Sequence, residues 1–323
     1  MSNNKVTEPL PPPPPIYIFR EHKSTVNHLH LFKDDQLLAS CDADGWIIIW
    51  KMRTRRPLLK WKGHEASCLK VTTNSMHDTL ISQGRDNMIH IWKLTEVEAT
   101  LTSSIVYNGL GFCKFSYNEK EEEPTLLCFP SKEDIKMLDI YDLTSQTFVL
   151  QNIGNTARFG SCMATQLFRT LNNELFVLAG YESGTIALWE IIKDRSTSKL
   201  VWHRQEHKEP IFDLSIDSKI SFAISSSGDN QICKYSLATG DIIKKIAIKK
   251  SGIVALKIRS TDNKIFASGG FDGKIRIFSI KTMKPLAVLT THKNTVYGLE
   301  FGKEDNWLIG GSEDHRVSLW KIF

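Results

Sequence analysis

Four histidines in this 323-residue chain each stand 22 positions before an aspartate: His22 and Asp44, His64 and Asp86, His207 and Asp229, His292 and Asp314. Six positions after each aspartate comes an aromatic residue, Trp50, Trp92, Tyr235 or Trp320. The same six-residue step joins Asp272 to Phe278, and weaker copies join Asp134 to Ile140 and Ser183 to Trp189. The seven turn positions therefore fall at 44, 86, 134, 183, 229, 272 and 314, in steps of 42, 48, 49, 46, 43 and 42. Three positions beyond each lies an apolar residue: Ile47, Ile89, Met137, Ile186, Ile232, Ile275 and Val317. A register that recurs seven times marks a repeat architecture, in which each unit buries its faces only against its neighbours.

The stretch from His64 to Lys93 shows what one unit is. Short alternating runs at Cys68–Val71, Thr79–Ser82 and Met88–Lys93 are separated by turn residues, so they read as strands. Asp86, in a tight turn, can accept from the His64 imidazole, which can contact the Ser82 hydroxyl, which can meet the Trp92 N–H. This is the WD40 signature of four strands per repeat. The expected fold is all-β, a seven-bladed WD40 β-propeller. Its structural tetrads are expected at His22, Ser40, Asp44 and Trp50; at His64, Ser82, Asp86 and Trp92; and at His207, Ser225, Asp229 and Tyr235. The last repeat keeps His292, Asp314 and Trp320. A tetrad lacking one member weakens its blade without abolishing it, because apolar packing between blades dominates.

The two ends of the chain bear on closure. Residues 1–15 form a polar, proline-rich tail ending in five consecutive prolines, expected to be extended and outside any ladder. Residues 16–323 are expected to form one propeller. Ile16–Phe19 alternates as a strand, whereas the chain stops at the third strand of the seventh repeat. The N-terminal strand should therefore complete the last blade and remove two open edges. No apolar run is long enough to span a bilayer, and no secretory h-region follows Met1. The six cysteines show no paired spacing and sit in strand-like contexts, so buried, reduced thiols are expected, with nuclear or cytoplasmic residence. A net charge of +5 spread along the chain does not point to nucleic acid.

The residues that could suggest chemistry have structural work in this register. There is no His-Glu-x-x-His or Cys-x-x-Cys pair, so neither metal nor cofactor is expected. Gly269–Lys274 resembles a phosphate loop only superficially, since Asp272 falls on the turn register. Ser225–Asp229 is likewise a turn and not a nucleophile elbow. No enzymatic activity is expected, which leaves the surface. The His-bearing loops and Asp-bearing turns should share one face, the top. Arg85, Tyr181, Glu182, Phe271, Glu313 and Arg316 are expected on its rim as partner-binding residues, a mixture of aromatics and both charge signs. A basic group, Lys51, Arg53, Arg55, Arg56 and Lys60, should mark the opposite face at blade one.

Particular strings go beyond the generic repeat. They include the proline run leading to Tyr17, Phe19 and Arg20, Thr54-Arg55-Arg56, Ser82-Gln83-Gly84-Arg85-Asp86 and Gly111-Phe112-Cys113. Others are Leu178–Gly184, His207 with Glu209-Pro210-Ile211, Thr282–Leu289, and Gly311-Ser312 with Asp314 and Arg316–Trp320. In these strings the whole chain resembles the guanine nucleotide-binding protein β-subunit-like family, also called the ASTRA-associated WD-repeat family. The resemblance implies a non-enzymatic scaffold within a large multi-subunit assembly. It implies association with kinase cochaperone components that mature phosphatidylinositol-3-kinase-like kinases, and a link to chromatin remodelling. The propeller itself is expected to be monomeric, with no membrane partner. A G-protein β role would need an N-terminal heptad helix, where this chain offers prolines and then a strand. The alternative drawn from the rim residues is a top-face reader of histone-tail or phosphorylated peptides.

Overall fold

The computed structural model describes residues 13–120, 123–155, 158–192, 197–249, 252–304 and 306–322. Most of the expected proline tail, residues 1–12, lies outside them. Among the described residues the regular structure is entirely strand, arranged as seven four-stranded antiparallel sheets. The chain is a seven-bladed WD40 β-propeller. Blade one, for example, runs from its inner strand Val26–Phe32 through Leu37–Asp42 and Trp46–Lys51 to its outer strand Arg56–Lys62.

Burial follows position in the blade. Second strands such as Phe222–Ser227 and Ile265–Gly270 are buried throughout, because neighbouring blades cover both of their faces. The outer strands are mostly exposed or half-buried, as in Ile242–Ala247. The core is accordingly a series of apolar layers between blades. One joins Phe19, Val317 and Leu319 of blade seven to Val26, Leu29 and Trp50 of blade one. All six cysteines are buried and free.

Blade seven is completed by the strand Tyr17–Phe19, which pairs with Val317–Lys321 in the register Tyr17↔Leu319, Ile18↔Ser318, Phe19↔Val317. The Ile16 N–H extends the ladder by donating to the Leu319 carbonyl at 2.7 Å. Phe19 is 2% exposed and meets Trp50 edge-on, with ring centroids 5.0 Å apart, so closure also buries an aromatic contact with blade one.

The seam between blades two and three is built differently. Blade three has an inner strand of only three residues, Ser116–Asn118. The Gln83 side-chain amide stands in for a missing pair of ladder bonds: its N–H donates to the Cys113 carbonyl at 3.0 Å and its oxygen accepts from the Phe115 N–H at 2.7 Å. Glu119, just beyond that short strand, braces the same seam. Its carboxylate accepts from the Ser75 N–H, the Ser75 hydroxyl and the Tyr117 hydroxyl.

Inner strands carry a further shared feature. In six of the seven, the pairing register slips between the first and third residues, as between Val26 and His28, Cys68 and Lys70, or Ile211 and Asp213. A bulge of this kind breaks strict alternation. Consecutive residues, such as Leu69 with Lys70 and Phe212 with Asp213, therefore both line the axial channel.

Two measurements probe the closure. Deleting residues 1–20 should expose the Val317–Lys321 edge and cause aggregation or a clearly lower Tm, whereas deleting residues 1–12 should leave thermal melting unchanged. Phe19→Ala should cost about 3–5 kcal/mol in chemical denaturation.

Candidate functional site: the top face and its channel

The turns of the top face are held from beneath by buried His–carboxylate–hydroxyl networks. In blade two, His64 Nδ1–H donates to Asp86 at 3.0 Å, Nε2 accepts from the Ser82 hydroxyl at 2.7 Å, and Trp92 Nε1–H donates to the same hydroxyl at 2.8 Å. The Asp86 carboxylate also takes the Glu65 and Met88 N–H groups, so one side chain ties the His64–Glu65 loop to its own turn. Glycine at 84 makes the geometry possible, since a Cβ there would lie 2.2 Å from His64 Nδ1. Blade five repeats the arrangement, with His207 3.1 Å from Asp229, 2.7 Å between His207 Nε2 and Ser225, and Ser225 Oγ 3.4 Å from Tyr235 Oη.

The other blades reach related ends with different residues. In blade one the acceptor for His22 is Asp42, at 2.7 Å, and not Asp44. The Asp42 carboxylate rises directly from the strand, below the turn, and also accepts the Asp44 and Trp46 N–H groups. Asp44 contributes only its backbone. Ser40 and Trp50 complete that network, at 2.7 Å and 2.8 Å. Blade seven has Gly310 where a serine would stand. Ser318, directly across the ladder from Gly310, supplies the hydroxyl to His292 at 2.7 Å and to Trp320 at 2.9 Å, with Asp314 3.0 Å from His292. In blade six, Arg276 replaces the imidazole, donating to both Asp272 oxygens at 3.1 Å and 2.6 Å.

Tyr181 does not belong to the rim. It is 1% exposed, and its hydroxyl accepts from Trp189 Nε1–H at 3.0 Å, which makes it blade four's substitute for the tetrad hydroxyl. The strand Leu175–Tyr181 ends on a buried position, so only the next residue, Glu182, emerges. Glu182 is exposed and accepts the Ser161 N–H at 3.1 Å. Glu313 and Arg316 are half-buried beside the blade-seven turn.

Arg85 and Phe271 instead converge on the mouth of the channel. Arg85 is exposed; its guanidinium sits 4.4 Å from the Phe112 ring centroid and donates to the Leu110 carbonyl at 3.2 Å. Phe271 is 47% exposed and lies edge-on to Phe212, centroids 6.0 Å apart. Its ring is seated over Gly252, whose φ of +83° and empty Cβ position, 1.8 Å from the ring, admit no other residue. Phe112, Phe212 and Phe271 line one axial cavity of about 540 Å³, together with Lys70, Lys114, Asp213, Lys257 and Glu300. On the basic side of blade one, Arg55 covers Tyr17 at 5.0 Å and Lys60 covers Trp46 at 5.5 Å, so two of those cations pack on nearby rings.

A family model described as ASTRA-associated protein 1 matches residues 15–300. The chain belongs to the ASTRA-associated protein 1 family. A model of the WD domain, G-beta repeat, also matches residues 283–321, which hold the outer strand of blade six and the first three strands of blade seven. The chain is similar to guanine nucleotide-binding protein subunit beta-like protein 1 of Mus musculus, 33% identical over 329 residues, with 97% of each chain covered. It is similar to ASTRA-associated protein 1 of Penicillium rubens, 30% identical with 97% of this chain and 98% of the relative covered. The Schizosaccharomyces pombe protein of the same name is 29% identical, with 96% and 99% covered.

Within this member of the family, several of the residues that build the top face escaped the spacing rule. Ser318 could have been found as the hydroxyl two positions before Trp320, on the same strand face, once Gly310 had vacated its usual place. Asp42 could have been read as a competing carboxylate two positions before Asp44. The channel residues carry no spacing signal: a bulge sets the direction of Lys70 and Phe212, while Phe112 and Lys114 lie in the irregular segment before the short inner strand of blade three.

The networks can be tested by substitution. Asp42→Ala should lower stability by about 1–3 kcal/mol and Asp44→Ala by less than about 0.5 kcal/mol. Ser318→Ala, which strips an acceptor from Trp320 and a partner from His292, should also cost about 1–3 kcal/mol. Acid should act on the same networks. Burial would raise the Asp86 carboxyl, but the bond to His64, its charge and the two N–H donors hold it below the ordinary value; Asp314, with His292, is held down in the same way. Their contribution is therefore complete above the unfolded carboxylate value near ~3.9 and is lost as pH falls through the depressed folded values. Melting curves recorded down through that range should show Asp86→Asn with a shallower acid dependence than the parent chain.

Proposed function

We propose that this propeller is a non-catalytic scaffold of an ASTRA-type assembly, acting in the maturation of phosphatidylinositol-3-kinase-like kinases and in chromatin remodelling. The family match over residues 15–300 carries this reading, together with full-length relatives whose names state ASTRA association. The chemistry of the top face supports it. His22, His64, His207 and His292 each have one ring nitrogen on a carboxylate and the other on a hydroxyl, and all four are buried. Histidines so engaged build turns and are poorly placed to move a substrate's protons. Partner contact is assigned to the top face around Arg85 and Phe271, with the propeller entering as a single copy, in the nucleus or cytoplasm.

Affinity purification of the tagged chain, read by mass spectrometry, should recover subunits of the assembly and its kinase cochaperone. Recovery of none of them would overturn the scaffold reading. Arg85→Glu and Phe271→Ala should shift stability by no more than about 0.5 kcal/mol and reduce that recovery. Full recovery by both variants would move the interface off the top face.

A further inference from the structure

The axial channel is closed part-way by a single side chain. Lys114, from blade three, extends across it and donates from Nζ to the Asn27 carbonyl of blade one at 3.0 Å and the Tyr297 carbonyl of blade seven at 3.4 Å. Blades one and seven are neighbours in the ring, and blade three is separated from blade seven by two blades on one side and three on the other. What lies above this bar is a vestibule with an aromatic collar: Phe112, 59% exposed, Phe212, and Phe271, 47% exposed. Partly exposed phenyl rings around a concave opening are the composition of a pocket for an apolar anchor.

The charges of the channel do not balance. Lys257 is paired with Glu300 at 2.8 Å. With that pair set aside, Lys70, Lys114 and Lys303 in the channel lining and Arg85 at its mouth face one carboxylate, Asp213. Asp213 spends its oxygens on the Leu214 and Leu256 N–H groups, at 2.9 Å and 2.7 Å. Lys70 donates to the Phe115 carbonyl at 2.8 Å, and Lys114 to the two carbonyls named. An ammonium has three N–H donors, and carbonyls satisfy hydrogen bonding without cancelling charge. Removal from water, with Lys257 and Lys114 nearby, pushes Lys70 down to about 8, against the smaller opposite pull of Asp213 and Glu300. His28 lines the same channel, with a buried Nδ1 that has no hydrogen-bond partner. The outer rim carries both signs, with exposed Glu182 and Glu209 beside exposed Lys208 and Lys293, so the excess of positive charge is specific to the channel.

We propose that the vestibule docks an apolar side chain adjoining a single carboxylate, presented by a partner protein, with the side chain among Phe112, Phe212 and Phe271 and the carboxylate toward Lys114. This rests on the scaffold reading and names the chemistry of what the top face holds. The carboxylate can come from an aspartate or glutamate beside the apolar residue, or from a chain terminus.

The test uses the purified full chain and fluorescence anisotropy with short Gly/Ser peptides. Each carries one Leu, Phe or Trp, either beside an internal Asp or at a free C-terminus, matched by the Asn or C-terminal amide counterpart. Carboxylate peptides of one set should bind, their matched controls about tenfold more weakly, and which set binds identifies the source. Phe112→Ala and Phe271→Ala should each weaken binding about tenfold with an unchanged Tm. Lys114→Met, if it folds, should remove the preference for the charged peptide; if it does not fold, the two phenylalanine variants carry the test. Equal binding of charged and matched peptides, no binding of any, or affinity that survives both phenylalanine substitutions would overturn the proposal. Continued recovery of assembly subunits by the parent chain in that event would leave the scaffold reading standing.

Discussion

Three residues, Tyr17–Phe19, pair with the last described strand of the chain, and that contact turns a row of sheets into a ring. A row of seven blades would leave one face of the first and one face of the last exposed. Their apolar layers would meet water, at roughly 25 cal/mol for each Å² uncovered. With the ring closed, every blade is covered on both sides, and second strands can be apolar or small throughout. The same closure brings the inner strands to a common axis and creates the channel.

Closure explains why the tetrads can vary from blade to blade. A lost tetrad bond costs about 0.5–1.5 kcal/mol, provided no buried partner is orphaned. The structure meets that proviso by local substitution: Ser318 for a serine that position 310 lacks, Arg276 for a histidine, Tyr181 for a hydroxyl of blade four. Inter-blade packing holds each blade while its polar network drifts. Blade three, with the shortest inner strand, relies on Gln83, Glu119 and Lys70 for its seam with blade two.

The bulge near the start of most inner strands connects this framework to the top face. By sending two consecutive residues into the channel, it sets apolar and charged side chains next to each other, as with Phe212 and Asp213 or Leu69 and Lys70. A regular strand would bury one of each pair between blades. Asp213 and Lys70 could then be accommodated only with buried partners.

The recurrence of His, Asp and aromatic residues at fixed spacing was enough to determine the repeat and the blade number, and short alternating apolar runs, Ile16–Phe19 among them, gave the strand-rich class and the completion of blade seven. All of these follow from a local period repeated along one chain. The tetrads of blades two and five were legible for the same reason. Which carboxylate serves His22, which hydroxyl serves His292, and that Tyr181 turns inward were decided only by tertiary structure. Each depends on which atom reaches a hydrogen-bond partner across a ladder, at distances that residue counting does not contain. The channel was hidden most fully. Lys114 meets Tyr297 across 183 positions of sequence, and only the closed ring brings that ammonium and that carbonyl together.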